Sequence, residues 1–164
     1  MAIAQTEFNI ELASEQETVQ FAKKLSRMTG PGDVIALYGD LGAGKSVLAR
    51  AFIRAHMDDD IEVPSPTFTL LQTYDADEMV LYHFDLYRLK VPEEALELGI
   101  DDAFHDGLSI IEWPDRLGGY LPRDRLDITL VQGSLSEART ARLVGRGYWS
   151  ARVSEVITGA AIHG

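Results

Sequence analysis

The chain contains no cysteine, which excludes disulfides, thiolate metal sites and cysteine nucleophiles. It is also short of positive charge. Its 15 Lys and Arg stand against 26 Asp and Glu, a net charge of −11. That balance argues against tight, unaided binding to nucleic acid or an anionic membrane, because either needs clustered cations facing phosphate. A complex in which a partner holds the RNA remains open. Long apolar runs are missing too: no stretch approaches the roughly 20 residues that span a bilayer. Met1 to Gln20 has no basic segment followed by an apolar run, so no signal peptide is expected. The expectation is a soluble, cytoplasmic protein. The 46% hydrophobic and 25% charged content over 164 residues is ordinary for a globular chain. The length suits a single domain, 1–164, with a tail from about residue 145 whose role the sequence does not disclose.

One segment is far from ordinary. Gly39-Asp40-Leu41-Gly42-Ala43-Gly44-Lys45-Ser46 fits G-x-x-x-x-G-K-[ST], the phosphate-binding loop of P-loop NTPases. Its surroundings are right for that role. Val34 to Tyr38 reads as a buried strand before it, and Val47 to His56 as a helix after it. Backbone N–H groups of the Gly-rich turn and of the helix start would converge on a polyanion, aided by the helix dipole. The glycines permit an approach that a Cβ would block. Lys45 can reach the β- and γ-phosphates, and the Ser46 hydroxyl can ligate Mg²⁺. The expected cofactors are therefore ATP or ADP and Mg²⁺, with Gly39 to Val47 forming the phosphate contact.

The rest of the chain supplies the frame. Phe8 to Leu12 alternates like a half-buried strand, and Ser14-x-x-Glu17 reads as a capping box opening a helix through Leu25. Gly30 to Asp33 breaks it. Asp58-Asp59-Asp60 reads as a solvated loop, since three adjacent carboxylates cannot converge on one ion. Val63 to Thr67 must be extended, each proline disfavouring helix at the residue before it. Phe68 to Tyr74 and Met79 to Phe84 suggest an antiparallel hairpin separated by Asp75 to Glu78. Pro92 to Gly99 reads as a helix with proline in its first turn and glycine past its end. Leu108 to Ile111, Leu126 to Val131 and Ala141 to Val144 read as strands, and Trp149 to Ile157 as a final helix. The expected fold is α/β: a three-layer, P-loop NTPase-like domain with a mixed parallel and antiparallel central sheet.

Phosphoryl chemistry needs more than a phosphate loop. It needs a carboxylate near Mg²⁺ and a group that orients the attacking oxygen. Two carboxylates follow unusually apolar runs: Asp85 after Val80 to Phe84, and Glu112 after Leu108 to Ile111. Spacing does not divide their roles. The expected division gives Glu112 the metal and Asp85 the water. Thr67 could sense the γ-phosphate as a switch threonine does, although a Pro-rich turn explains it equally well. Trp113 could stack near the nucleotide or simply pack. His83, inside an apolar strand, reads as a core or edge histidine.

These pieces together resemble the TsaE family, also called YjeE, of small bacterial P-loop ATPases. The resemblance rests on the loop above, on Ser65-Pro66-Thr67-Phe68-Thr69 and on His83-Phe84-Asp85-Leu86-Tyr87-Arg88-Leu89. Glu97-Leu98-Gly99-Ile100-Asp101 and Glu112-Trp113-Pro114-Asp115 complete it, in that order, over residues from about 10 to 133. It implies slow ATP hydrolysis and action on a TsaD–TsaB pair. That pair places a threonylcarbamoyl group on N6 of adenosine 37 in certain tRNAs, and ATP turnover resets it between rounds. It implies Lys45 on phosphate, Ser46 and Glu112 on Mg²⁺, Asp85 in hydrolysis, Trp113 near the nucleotide and Thr67 in a switch-like segment. Ser46 stands where the family usually has threonine. The tRNA would be met only through the partner pair, and the acidic chain could even compete with it for a basic partner surface.

Three other readings stay open. A small P-loop kinase would use Asp85 on a substrate hydroxyl, but no Arg-rich lid is visible. A GTP switch would carry an Asn-Lys-x-Asp segment, and none occurs. A nucleotide-gated binding subunit would hydrolyse ATP only incidentally.

Overall fold

A computed structural model describes residues 6–57 and 61–159, so the Asp58-Asp59-Asp60 reading lies outside the described residues. The chain runs β1 (Thr6–Leu12), α1 (Glu15–Ser26), β2 (Val34–Tyr38), α2 (Lys45–His56), β3 (Leu71–Ala76) and β4 (Met79–Asp85). A 3₁₀ segment (Pro92–Leu98), α3 (Ile100–Asp106) and β5 (Leu108–Glu112) follow. A second 3₁₀ segment (Pro114–Tyr120), β6 (Arg125–Gln132), β7 (Arg139–Arg146) and α4 (Trp149–Gly159) complete it. The seven strands form one sheet in the order β1-β7-β6-β2-β5-β4-β3.

The centre of that sheet is parallel: β6, β2, β5 and β4 run the same way. The outer strands β3, β7 and β1 join by antiparallel pairing. Strands covered on both faces should be apolar throughout rather than alternating. β2 and β5 obey: Val34 to Leu37 and all of Leu108 to Glu112 are buried. One face carries α1, α2 and α4, with Phe21, Leu48, Phe52, Trp149 and Val153 packed against Ile35, Leu37, Ile110 and Ile128. The other face carries α3 and the 3₁₀ segments, with Ile100, Ala103 and Leu117 packed against Val34, Phe84 and Ile111. The expected three-layer α/β arrangement with a mixed sheet is what the chain adopts.

Several boundaries differ from the sequence reading, each for a local reason. The α1 start is capped as expected, Glu17 N donating to Ser14 Oγ at 3.2 Å. β3 begins at Leu71 rather than Phe68. Leu70 takes φ +68° and its N–H donates to Pro66 O, closing a turn that leaves Phe68 exposed. The hairpin loop is only Asp77-Glu78, with Ala76 opposite Met79. Asp77 supplies the positive φ that such a tight loop requires. The helix expected over Pro92 to Gly99 is a 3₁₀ segment, and Gly99 at φ +76° redirects the chain into α3, a helix that the sequence pattern did not suggest.

Residues 146–159, the described part of the segment beyond 145, are built into the fold. Trp149, Val153 and Val156 of α4 lie in the main core. Arg152 reaches Asp33 Oδ1 at 2.7 Å, and the Tyr148 hydroxyl donates to the same oxygen at 2.7 Å.

Candidate functional site

Because β2, β5 and β4 are parallel, their carboxyl ends reach one edge of the sheet, where open α/β sheets bind ligands. The register aligns them closely: Leu37 sits opposite Glu112, and Glu112 opposite Asp85. The loop leaving β2 is the Gly-rich segment, and α2 starts at Lys45 immediately after it. The result is a cleft of about 450 Å³. Lys45, Ser46, Val47, Thr67, Asp85, Glu112 and Trp113 all line it, together with Asp40, Leu41, Gly42 and Gly44. Gly39 and Ala43 lie behind, against β6. A Cβ on Gly39 would stand 2.7 Å from Leu130 O, so packing against β6 by itself requires a glycine there.

The carboxylates are held differently. Glu112 is buried and gripped from two sides. Ser46 Oγ donates to its Oε1 at 3.1 Å, and His83 Nε2 donates to its Oε2 at 2.7 Å. Asp85 takes the Tyr87 N–H at 3.2 Å. Burial pushes the Asp85 carboxyl up, the Tyr87 N–H opposes that, and the charge of Glu112 beside it adds to it. A carboxylate made more basic in this way is better suited to accept a proton.

Lys45 donates to Gly39 O and, at 3.1 Å, to Asp40 O. Its Nζ also lies 4.0 Å from the centre of the Trp113 ring. Burial pushes the ammonium down, while the Glu112, Asp85 and Asp40 carboxylates hold it up. Trp113 adopts φ 60°, ψ 50°, a left-handed conformation costing about 1–2 kcal/mol for an L-residue. Its ring packs on Tyr87 at 4.9 Å, and the N–H of Leu86, the residue before Tyr87, donates to Glu112 O. Backbone strain directly beside the central carboxylate fits a site whose geometry is fixed at some expense of stability. Thr67 shares a 2.8 Å hydrogen bond with Ser65 at the cleft wall.

Ser46 Oγ and Glu112 Oε1 are hard oxygen donors close enough to share one cation. Among the described residues no group of three His, Cys, Asp or Glu could hold a metal. The Ser46–Glu112 pair is one that could take Mg²⁺, which is usually held by one or two carboxylates plus substrate phosphates.

Two residues escaped the sequence reading. The pattern marks His83 as a satisfied core or edge histidine, and it is buried and hydrogen-bonded; what the pattern does not reveal is that the partner is Glu112. A signal existed: strand period two puts His83 on the same face as Asp85. Arg139, at the start of β7, also lines the cleft. It donates from Nε to Ala43 O at 2.7 Å and from Nη2 to Gly42 O at 3.1 Å. Nothing local to Arg139 announces this, because its partners lie 96 and 97 residues away.

Comparison with known proteins gives a consistent result. Residues 12–141 match the family described as threonylcarbamoyl adenosine biosynthesis protein TsaE. A tRNA threonylcarbamoyladenosine biosynthesis protein TsaE from Rickettsia conorii is 43% identical over 119 residues, 73% of this chain and 68% of that one. The protein of the same name from Bacillus subtilis is 37% identical over 135 residues, 81% of this chain and 84% of that one. The crystal structure of YdiB from Bacillus subtilis superposes with a TM-score of 0.77 at 26% identity, covering 99% of each chain.

Proposed function

The chain belongs to the TsaE family, whose members take part in tRNA threonylcarbamoyladenosine biosynthesis, and on that premise we propose that it is the ATP-hydrolysing subunit of that modification. The observation that carries the proposal is the meeting of three elements at one sheet edge: Lys45 and Ser46 of the phosphate loop, Glu112 at the end of β5 and Asp85 at the end of β4.

The division of labour follows from chemistry and position. Backbone N–H groups of Gly42 to Val47 and the α2 dipole receive the phosphates. Lys45 exchanges its loop carbonyls for phosphate oxygens. Ser46 and Glu112 would hold Mg²⁺, which neutralises phosphate charge and orients the terminal group. His83 fixes the Glu112 carboxylate so that one oxygen stays turned to Ser46. Asp85, more basic than an ordinary carboxylate, orients and deprotonates water. Trp113 and Thr67 flank the nucleotide. The partner is a TsaD–TsaB pair that holds the tRNA, and ATP turnover on this chain permits repeated rounds. The net charge of −11 supports contact with the tRNA through that pair rather than directly.

The test is steady-state ATP hydrolysis by this chain, alone and with a TsaD–TsaB pair plus tRNA. Slow turnover that rises with the partners is expected. An unchanged rate in a demonstrated nucleotide-bound complex would refute the catalytic part.

A further inference from the structure

We propose that Arg139 is a positioning residue for the phosphate loop: it sets the direction of the loop's N–H groups by gripping the outer side of its peptides, without itself touching phosphate. The inference rests on the reading of this cleft as a nucleotide site.

The geometry is specific. A guanidinium has five N–H donors. Here Nε is on Ala43 O, Nη2 is on Gly42 O, and Nη1 is on both Ser136 O and Ala138 O at 2.8 Å. Four donors are therefore committed to backbone carbonyls. A bidentate clamp on phosphate would require breaking at least one of these charge-assisted bonds.

A planar trans peptide points its C=O and N–H in opposite directions. Holding Ala43 O against Arg139 therefore turns the Gly44 N–H away from it, and we assign that direction to the phosphate cradle. The preceding peptide is held at both ends, Gly42 O by Arg139 and Ala43 N by Asp40 O at 3.0 Å. Gly44 at φ +102° fits closely: a Cβ there would lie 3.4 Å from Arg139 Nε. The other end of the guanidinium rests on the tip of the β6–β7 hairpin, where Gly133 N donates to Ala138 O at 2.7 Å. Loop shape is thus tied to a strand pair that follows it by almost a hundred residues.

Arg139→Lys and Arg139→Ala are compared with the full-length chain by calorimetric titration of ADP, with and without Mg²⁺. Lys keeps the charge and the stem but cannot span the carbonyls. Both variants are expected to bind ADP about tenfold or more weakly, the loss of one or two charge-assisted bonds' worth of preorganisation. Ser46 and Glu112 are untouched, so the ratio of affinities with and without Mg²⁺ stays that of the parent. The loss also persists at high salt. Recovery by Lys would assign Arg139 a charge role and overturn the proposal, as would parental affinity in both variants. If Arg139→Ala does not fold, Arg139→Lys alone decides. Failure of the parent chain to bind ADP would instead defeat the nucleotide-site reading itself.

Discussion

Replacing His83 by Phe tests whether a buried imidazole, rather than the strand alone, holds the central carboxylate. Both partners are 2% exposed, and the Nε2 to Oε2 separation is 2.7 Å. A buried hydrogen bond to a charged group contributes about 1.5–3 kcal/mol. His83 Nδ1 has no partner among the described residues, so Phe also removes a buried unsatisfied group, regaining about 1 kcal/mol. The single variant should therefore lose only about 0.5–2 kcal/mol. The bond itself is isolated by a double-mutant cycle with Glu112→Gln, which keeps the shape and removes the charge. Urea unfolding at fixed pH, followed by far-ultraviolet circular dichroism, gives all four corners. A coupling energy of about 1–2 kcal/mol is expected, because Glu112 retains Ser46 and Gln retains an acceptor. A coupling below about 0.5 kcal/mol would refute the argument, since residues in true contact exceed that value. His83→Gln, which restores a donor on a flexible chain, should recover part of the loss.

Asp85→Asn should lower ATP turnover by about 10²- to 10⁴-fold while ADP affinity in titration stays near that of the parent. An Asp85→Ala chain that binds ATP yet sustains many rounds of tRNA modification would favour the binding-only reading. Gly145→Ala should destabilise by about 2–4 kcal/mol in urea, because its Cβ would stand 2.3 Å from Trp149 O and push α4 off the sheet. Tyr148 gives a pH dependence. Burial and its bond to Asp33 push the phenol from 10.0 to about 12. The raised folded value means its contribution is whole below pH 10 and lost as pH rises through about 12. Urea midpoints should fall over that window, and Tyr148→Phe should remove this component of the fall.

How much of this was legible beforehand varies by element. The phosphate-loop motif is contiguous, so it could be read directly, and its flanking strand and helix were apolar enough to be placed. Asp85 and Glu112 were found because each ends an apolar run. Their apposition was not, because it depends on β4 and β5 pairing in parallel with Asp85 opposite Glu112. His83 looked like a core residue because local pattern reports burial and not the partner across the strand. The helix at Trp149 was anticipated, but its packing into the main core was not, because besides β7 and β6 it rests on β1 and α1 at the other end of the chain.

By itself, then, the sequence determined an acidic α/β chain with a phosphate-loop motif, a hydroxyl next to its lysine and two candidate carboxylates. Those are properties of residue type, short spacing and hydrophobic period, which need no knowledge of who pairs with whom. Tertiary structure decided everything that requires two distant segments to meet. It set Glu112 between Ser46 and His83, placed Asp85 alongside, and brought Arg139 onto the carbonyls of Gly42 and Ala43. The physical reason is that strand register converts positions far apart in the chain into neighbours a few ångströms apart, and register is fixed by the whole sheet rather than by any one strand.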